Sequence, residues 1–248
     1  MAKDLFSDQS ETYALYRPVY PPTLFEYIVS YVAERNTAWD CATGNGQSAL
    51  PLSGYFKKIF ASDISQKQLA QAPQKNNVEY VLCSAEATPF LDNSFDLITV
   101  SQAYHWLNFK KFYAEALRVG KANCVVAVWM YDLLSSKEED LNHLIHHLYK
   151  NITGTYWDAE RKHVDNHYAD IPFDFEPLPT KDFSIETYFS PAQLLGYFSS
   201  WSATQNFIKA NNYSPIDEIK TDLYKLWPQN ESKLFCFPIV LKLGRIIK

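Results

Sequence analysis

Residues 37–47, TAWDCATGNGQ, predict the end of a buried strand, a tight turn and the start of a helix. The strand ends at Asp40. Gly44 and Gly46 can adopt backbone angles closed to other residues, and they let a ligand approach the main chain closely. A helix predicted over residues 47–56 would present unpaired N–H groups at its start. This arrangement is typical of a nucleotide-type site at the carboxyl ends of the strands in an α/β sheet.

Strands and helices alternate from residue 37 to residue 131, which predicts a mostly parallel sheet with right-handed crossovers. Ser65 is expected to cap the second helix of this region, and Gly120 to follow the third, since helix ends favour these residues. Besides the strand ending at Asp40, the predicted strands are 58–63, 78–83, 94–101 and 124–129. The predicted helices of this region are 47–56, 66–74 and 108–119. A further helix, 23–35, is predicted before it.

The pattern changes after residue 131, where the chain becomes less periodic. Residues 151–180 predict an irregular lid, and residues 181–188 alternate as a half-buried strand does. Helices are predicted over 190–200 and 215–227, and a final strand over 233–244. The predicted division is an N-terminal cap segment and helix (1–35), a core (36–131), a lid elaboration (132–230) and a last strand that returns to the core sheet (231–248).

Composition excludes several classes of function. The net charge is −5 without any basic block, which argues against nucleic-acid binding because that binding depends on neutralising phosphates. No apolar run is long enough to span a membrane, and the N-terminus lacks the pattern of a signal peptide. The four cysteines are scattered, which favours free thiols and a cytoplasmic location. Aromatic residues make up 16% of the chain, which is consistent with an aromatic core or an aromatic-lined pocket.

A metal site is not expected. His143 and His147 stand four positions apart on one predicted helix, a spacing that can chelate a metal. No acidic or cysteine partner lies at ligand spacing, so a solvated helix face is the preferred interpretation.

A ligand at the Gly44–Gly46 turn would meet residues from three further strands. Asp63 ends the neighbouring predicted strand, where a carboxylate can accept hydrogen bonds from both hydroxyls of a ribose. Glu86 and the backbone around it follow the third strand and could contact an adenine edge. Residues 101–106 follow the fourth strand and would face the other side of the same cleft.

Six short motifs in register carry a resemblance to a known family. They are Tyr16-Arg17-Pro18-x-Tyr20-Pro21, Trp39-Asp40-x-Ala42-Thr43-Gly44-x-Gly46-Gln47, Ala61-Ser62-Asp63-Ile64-Ser65, Ala85-Glu86-Ala87-Thr88-Pro89-Phe90, Ser94-Phe95-Asp96-Leu97 and Gln102-Ala103-Tyr104-His105-Trp106. Together they make the chain, over residues 10–131, similar to the class I S-adenosylmethionine-dependent methyltransferases, in the trans-aconitate methyltransferase-like branch.

The resemblance implies an α/β Rossmann-like fold, with a mostly parallel seven-stranded sheet flanked by helices and a helical and irregular C-terminal lid. It also implies S-adenosylmethionine as cofactor. One departure is Ala42, where the family usually has glycine. The cofactor-binding residues implied by the motifs are Tyr16, Arg17, Asp40, Ala42, Gly44, Gly46, Gln47, Asp63, Ile64, Ala85, Glu86, Gln102 and Ala103.

The acceptor is expected to be a small, apolar or planar molecule that is methylated on a carboxylate or hydroxyl oxygen. His105 is the one candidate catalytic base, although a positioning or packing role is an open alternative for it. The expected pocket residues are Tyr20, Tyr104, Trp106, Trp129, Tyr131 and Trp201. The protein is expected to be a monomer or a homodimer.

Two other functions are compatible with this architecture. One is an NAD(P)-binding oxidoreductase, which requires a G-x-G-x-x-G turn. Residues 42–47 read ATGNGQ, with no glycine at either end. The other is a non-catalytic, methyltransferase-like binding or scaffold protein.

Overall fold

The computed structural model describes residues 16–227 and 231–248. Its central element is a twisted sheet in the order β3-β2-β1-β4-β5-β8, in which β6 and β7 both pair with β8. The strands are β1 (Thr37–Cys41), β2 (Lys58–Asp63), β3 (Val78–Leu82), β4 (Phe95–Ser101), β5 (Gly120–Tyr131), β6 (Glu176–Pro177), β7 (Phe183–Phe189) and β8 (Lys233–Arg245).

Strands β1 to β5 run parallel, and β8 is antiparallel to its three neighbours. The chain winds outward from β1 to β3 and then returns to place β4 on the other side of β1. The predicted α/β class with a mostly parallel sheet is confirmed. The order reverses between β1 and β4, and this switch point is where open α/β sheets bind ligands.

Helices cover both faces of the sheet. They are α1 (Pro22–Ser30), α2 (Ala49–Leu52), α3 (Gln66–Ala70), α4 (Phe109–Val119), α5 (Glu139–His146), α6 (Arg161–Asp165), α7 (Pro191–Ser199), α8 (Ser202–Asn211) and α9 (Ile216–Leu226). Short 3-10 turns form at Tyr104–Trp106 and Gly154–Tyr156, and α5 continues into a π turn at His147–Ile152. None of the described helices is long and apolar enough to cross a bilayer.

The helix caps follow the local sequence. Ser65 Oγ accepts a hydrogen bond from Gln68 N at 3.3 Å, so the predicted cap of α3 is confirmed. Ser190 caps α7 with a reciprocal capping box that involves Gln193. Helix α2 is much shorter than predicted. Pro51 has no N–H to donate within the helix, and the turn that follows is closed by hydrogen bonds between residues three apart, up to Tyr55.

Gly120 ends α4 and begins β5, as predicted, but its backbone conformation is not the reason that this position requires glycine. Its φ is −72°, so it does not use the left-handed conformation that usually selects glycine at a helix end. A Cβ there would lie 2.5 Å from Ile246 Cδ1 and 2.9 Å from the Ala116 carbonyl oxygen. Close packing of β8 and α4 therefore excludes a side chain.

Two apolar cores lie on opposite faces of the sheet. The larger one joins α1, one face of β5 and the helices of residues 139–226, so the predicted lid elaboration shares a core with the sheet. The smaller one joins the other face to α4 and to residues 164–175. The predicted domain division remains a prediction, and its residues 1–15 and 228–230 lie outside the described chain.

A buried carboxylate fastens the amino end of β1. Asp96 Oδ2 accepts hydrogen bonds from the backbone N–H groups of Asn36 and Thr37, both at 2.9 Å. Its other oxygen lies 2.5 Å from Lys121 Nζ on β5. One side chain thus joins three strands of the sheet.

We predict that Asp96→Ala lowers the free energy of unfolding by about 2–4 kcal/mol, because two partly buried N–H groups lose their acceptor and Lys121 loses its ion-pair partner. Chemical denaturation measures the change. Glu79→Ala is the matched control: it removes an exposed partner of Lys58, and it should cost less than about 1 kcal/mol. Equal effects of the two substitutions would contradict this role of Asp96.

Candidate active site

A single cavity opens at the carboxyl ends of β1, β2, β4 and β5, at the switch point of the sheet. Its volume is about 240 Å³, whereas one water needs about 10–15 Å³. The cavity therefore has room for a substantial molecule. Its walls come from the turn after β1, the ends of β2 to β5, residues 131–161 and the junction of α7 with α8.

The turn after β1 is organised by Asp40, which is completely buried. Its carboxylate accepts hydrogen bonds from Thr43 Oγ1 at 2.5 Å and from Thr99 Oγ1 at 2.7 Å. Burial raises the pKa of Asp40 to about 6, although both hydroxyl contacts act to lower it. Asp40 lies beneath the cavity and fixes the turn that forms its floor.

Three residues of this turn adopt left-handed backbone angles. The φ values are 52° at Ala42, 57° at Gly44 and 84° at Gly46. A Cβ at Gly46 would lie only 2.8 Å from Tyr80 Oη, so both conformation and space require glycine there. The absence of a side chain at Gly44, which lines the cavity, leaves the backbone of the turn accessible to a ligand.

Asp63 stands at the end of β2, beside this turn. Its Oδ2 accepts a hydrogen bond from Gly44 N at 2.9 Å, and its Oδ1 accepts one from Ser65 N at 2.8 Å. The backbone of the turn therefore fixes the orientation of this carboxylate at the cavity wall.

Two further predicted residues are fixed by hydrogen bonds at the cavity wall. Glu86 accepts from Ser84 Oγ with one oxygen and from Asn108 N, at 3.0 Å, with the other. Gln102 has a φ of 53°, and its side chain bonds to both the N–H and the carbonyl of Tyr131. These contacts connect the loops after β3 and β4 to neighbouring elements.

Arg17 joins the N-terminal segment to the far wall. It donates to Tyr131 Oη at 2.6 Å and to the Ser200 carbonyl oxygen at 3.0 Å. Ser200 ends α7, and a cation is favourable at a helix C-terminus. The guanidinium also lies 5.7 Å from the ring centre of Tyr197. Arg17 thus ties three separate elements around the cavity.

A second arginine of the cavity lining packs against aromatic side chains. The Arg161 guanidinium carbon lies 4.6 Å from the ring centre of Trp157 and 5.3 Å from that of Tyr149. Arg161 Nε donates to Tyr149 Oη at 2.8 Å. Asp158 and Glu160 line the same wall. The wall therefore offers flat apolar surface together with one cation and two carboxylates.

His105 lines the cavity from the 3-10 turn after β4, and only 6% of it is exposed. Its Nδ1 lies 2.7 Å from Tyr168 Oη. Burial lowers the pKa of His105 to about 3, and the charge of Arg161 acts in the same direction. The imidazole is therefore neutral at ordinary pH and is a weak base.

Most of the residues predicted for the site do line this one cavity. Five do not: Tyr16 packs on Gly196, Asp40 is buried beneath the turn, Gly46 packs against Tyr80, and Tyr104 and Trp129 are buried in the two cores. The predicted residues in the lining are Arg17, Tyr20, Ala42, Gly44, Gln47, Asp63, Ile64, Ala85, Glu86, Gln102, Ala103, His105, Trp106, Tyr131 and Trp201.

The sequence did not indicate several residues of the far wall. They come mainly from residues 132–161, where the pattern has no clear period. The sequence around Tyr149 and Trp157 does not indicate that these two side chains lie against each other. The most prominent are Asp132, Tyr149, Trp157, Arg161 and Tyr197. His143 and His147, for which the sequence favours a solvated helix face, are both exposed and are absent from the cavity lining.

Comparison with known proteins identifies the family to which the chain belongs. A model described as a methyltransferase domain matches residues 39–128. A Dictyostelium discoideum protein named as a methyltransferase is 37% identical over 249 residues, which cover 98% of this chain and 95% of that protein. The chain belongs to the class I S-adenosylmethionine-dependent methyltransferases. Its cofactor is S-adenosylmethionine, so the nicotinamide-dependent alternative was wrong.

Solved structures agree with this assignment. A structure from Anaeromyxobacter dehalogenans, described as a type II methyltransferase, has a TM-score of 0.86 and 31% identity, covering 93% of this chain and 98% of that one. The YcgJ protein from Bacillus subtilis shares the fold, with a TM-score of 0.54 and 17% identity, covering 91% and 98% of the two chains. The glycine turn and the carboxylate of Asp63 fit the cofactor that this family uses.

We predict that Ala42→Gly stabilises the protein by about 0.5–1 kcal/mol. A left-handed alanine costs about 1–2 kcal/mol, which exceeds the entropy that glycine loses on folding. Ala103→Gly is the matched control, since Ala103 lines the same cavity with a φ of −133°. It should lower stability by about 0.5–1 kcal/mol in the same denaturation experiment. Destabilisation of both variants would rule out strain at Ala42.

Proposed function

We propose that this methyltransferase transfers a methyl group to a carboxylate oxygen of a small, partly planar acceptor, in the manner of the trans-aconitate methyltransferase-like branch. The observation that carries the proposal is the composition of the cavity. Its lining includes the glycine turn with Asp63, and it also includes Arg161 packed against Trp157 and Tyr149. A cation beside flat rings suits an anion attached to a planar or apolar group.

In this proposal the cofactor lies along the carboxyl ends of β1, β2 and β4. The backbone from Ala42 to Gly46 faces its methionine part, and Asp63 accepts hydrogen bonds from its ribose hydroxyls. Ala85 and Glu86 face the adenine. Arg17, Gln47, Ile64, Gln102 and Ala103 complete the lining.

The reaction requires alignment more than proton transfer. When bound, the cofactor supplies a methyl group on a positively charged sulfur. The carboxylate oxygen forms the new O–C bond while the C–S bond breaks, and the electron pair remains on sulfur. The aromatic wall orients the acceptor and excludes water, which are the main contributions that such a displacement needs.

The weak basicity of His105 supports a carboxylate over a hydroxyl. An alcohol must lose its proton during methyl transfer, and a histidine with a pKa of about 3 accepts a proton poorly. A carboxylate is already ionised and needs no base. Arg17, the second arginine in the lining, adds positive charge to the same cavity, next to Tyr131.

We predict that Asp63→Ala weakens S-adenosylmethionine binding by about tenfold or more, equivalent to at least about 1.4 kcal/mol. Calorimetric titration of the folded variant measures the affinity, and circular dichroism verifies its fold. Glu79→Ala is the control because Glu79 is exposed on β3 and contacts Lys58. Unchanged affinity in folded Asp63→Ala would remove the proposed ribose contact.

The acceptor class is tested with methyl-labelled cofactor and a panel of small carboxylic acids paired with their corresponding alcohols. We expect label to enter the acids as esters that alkali hydrolyses. Arg161→Gln should raise the KM for the acid about tenfold and leave cofactor affinity unchanged, because the cation proposed to contact the acid is lost while Asp63 and the glycine turn are unaltered.

Lys162→Gln provides the matched control. It removes the neighbouring cation, whose side chain is exposed and is absent from the cavity lining. Its KM for the acid should remain that of the unsubstituted protein. Methylation of alcohols but not of acids would overturn the carboxylate proposal.

A further inference from the structure

Tyr168 is a buried residue that the sequence did not associate with the site. It is completely shielded from solvent, and its ring centre lies 6.2 Å from that of Tyr104 and 5.8 Å from that of His105. It follows the short helix α6, in the stretch predicted as an irregular lid. Its position therefore connects the far wall of the cavity to the turn after β4.

The backbone that presents Tyr168 is unusual. The φ values are 52° at His167 and 56° at Tyr168, so two successive residues other than glycine are left-handed. Each such residue costs on the order of 1–3 kcal/mol and persists only where the surroundings hold it. Tyr168 N donates to the His163 carbonyl at 2.8 Å, and His167 Nε2 lies 2.9 Å from Asp132 Oδ2.

This strained pair is held from two sides. Asp132 directly follows β5 and lines the cavity, so its contact with His167 fixes the segment against the sheet. The result is that Tyr168 Oη stands 2.7 Å from Nδ1 of His105. Backbone strain of this kind clusters at active sites, where it holds a side chain in a fixed position.

The proton in the His105–Tyr168 contact can be assigned. A neutral imidazole has one donor and one acceptor nitrogen, and the hydrogen bond of one nitrogen selects the tautomer. Among the described residues, Nδ1 of His105 is the one hydrogen-bond partner of the Tyr168 hydroxyl, which is completely buried. If Nδ1 carried the proton, the hydroxyl proton would have no acceptor there, so the hydroxyl donates and Nδ1 accepts.

The ionisation of both groups agrees with this assignment. Burial is the main cause that raises the pKa of Tyr168, so the phenol keeps its proton. The lowered pKa of His105 keeps its ring neutral. With Nδ1 accepting from Tyr168, the proton of the imidazole is on Nε2. No described residue forms a hydrogen bond with Nε2, and His105 lines the cavity.

We propose that Tyr168 is a positioning residue that holds His105 as its Nε2–H tautomer, so that His105 donates a hydrogen bond to an oxygen of the methyl acceptor. The inference rests on the proposed function for the place of the acceptor. The donated bond orients a carboxylate through the oxygen that is not methylated. His105 acts in this arrangement as a donor, and no proton leaves it during the transfer.

The first test observes the tautomer directly and needs no acceptor. Protein labelled with ¹⁵N in its histidines is studied by two-bond ¹H–¹⁵N correlation, which distinguishes the two neutral tautomers from the charged ring. Loss of one signal set in His105→Gln identifies His105 among the six histidines. We expect the Nε2–H pattern, unchanged from about pH 5 to about pH 8.

Tyr168→Phe should convert this pattern to a mixture of tautomers, because Nδ1 loses its donor. Tyr149→Phe is the matched control: it removes another cavity hydroxyl, whose partners are Asp165 and Arg161. That variant should retain the Nε2–H pattern. An Nδ1–H pattern in the unsubstituted protein, or an unchanged pattern in folded Tyr168→Phe, would overturn the proposal.

The second test uses an acceptor identified in the assays above. The amide nitrogen of glutamine can take the place of Nε2, whereas that of asparagine lies closer to the place of Nδ1. His105→Gln should therefore keep the acceptor KM within about threefold, and His105→Asn and Tyr168→Phe should raise it about tenfold, with cofactor affinity constant. Equal losses in the glutamine and asparagine variants would overturn the role as donor.

The two proposals fail in different ways. If no carboxylate is methylated, the proposed function fails while the tautomer measurement still tests the role of Tyr168. If carboxylates are methylated and the tautomer does not depend on Tyr168, the positioning role fails alone.

Discussion

The site depends on one buried carboxylate. Asp40 is removed from water at the end of β1, and the hydroxyls of Thr43 and Thr99 compensate its charge only in part, since its pKa remains raised to about 6. These contacts connect the turn to both β1 and β4. With the turn fixed, Gly44 N reaches Asp63 at the end of β2.

The sequence predicted the elements whose signals are local. Strands were recognised by their apolar runs, and caps such as Ser65 by residue type and position. Gly120 shows the limit of such reasoning, because its place was predicted correctly while its cause lies in contacts with Ile246 and Ala116. A local pattern contains no information about which distant atoms will fill the space beside a residue.

The far wall was not predicted for the same physical reason. Arg161 and Trp157 belong to a stretch without periodicity, and they reach the cavity through packing against Tyr149 on another segment. Trp129 was expected in the pocket, but β5 turns that side chain toward Tyr20 and Phe25 in the larger core. Alternation along a strand assigns side chains to opposite faces, and the sequence did not indicate which face closes the cavity.

The distribution of tryptophans gives the molecule an optical reporter of its own. Three of its six tryptophans, Trp106, Trp157 and Trp201, line the cavity, whereas Trp39, Trp129 and Trp227 are fully buried in the cores. Intrinsic fluorescence therefore combines two populations. One responds to the contents of the cavity, and the other responds to the integrity of the cores, so filling the site and unfolding the protein produce separable spectral changes.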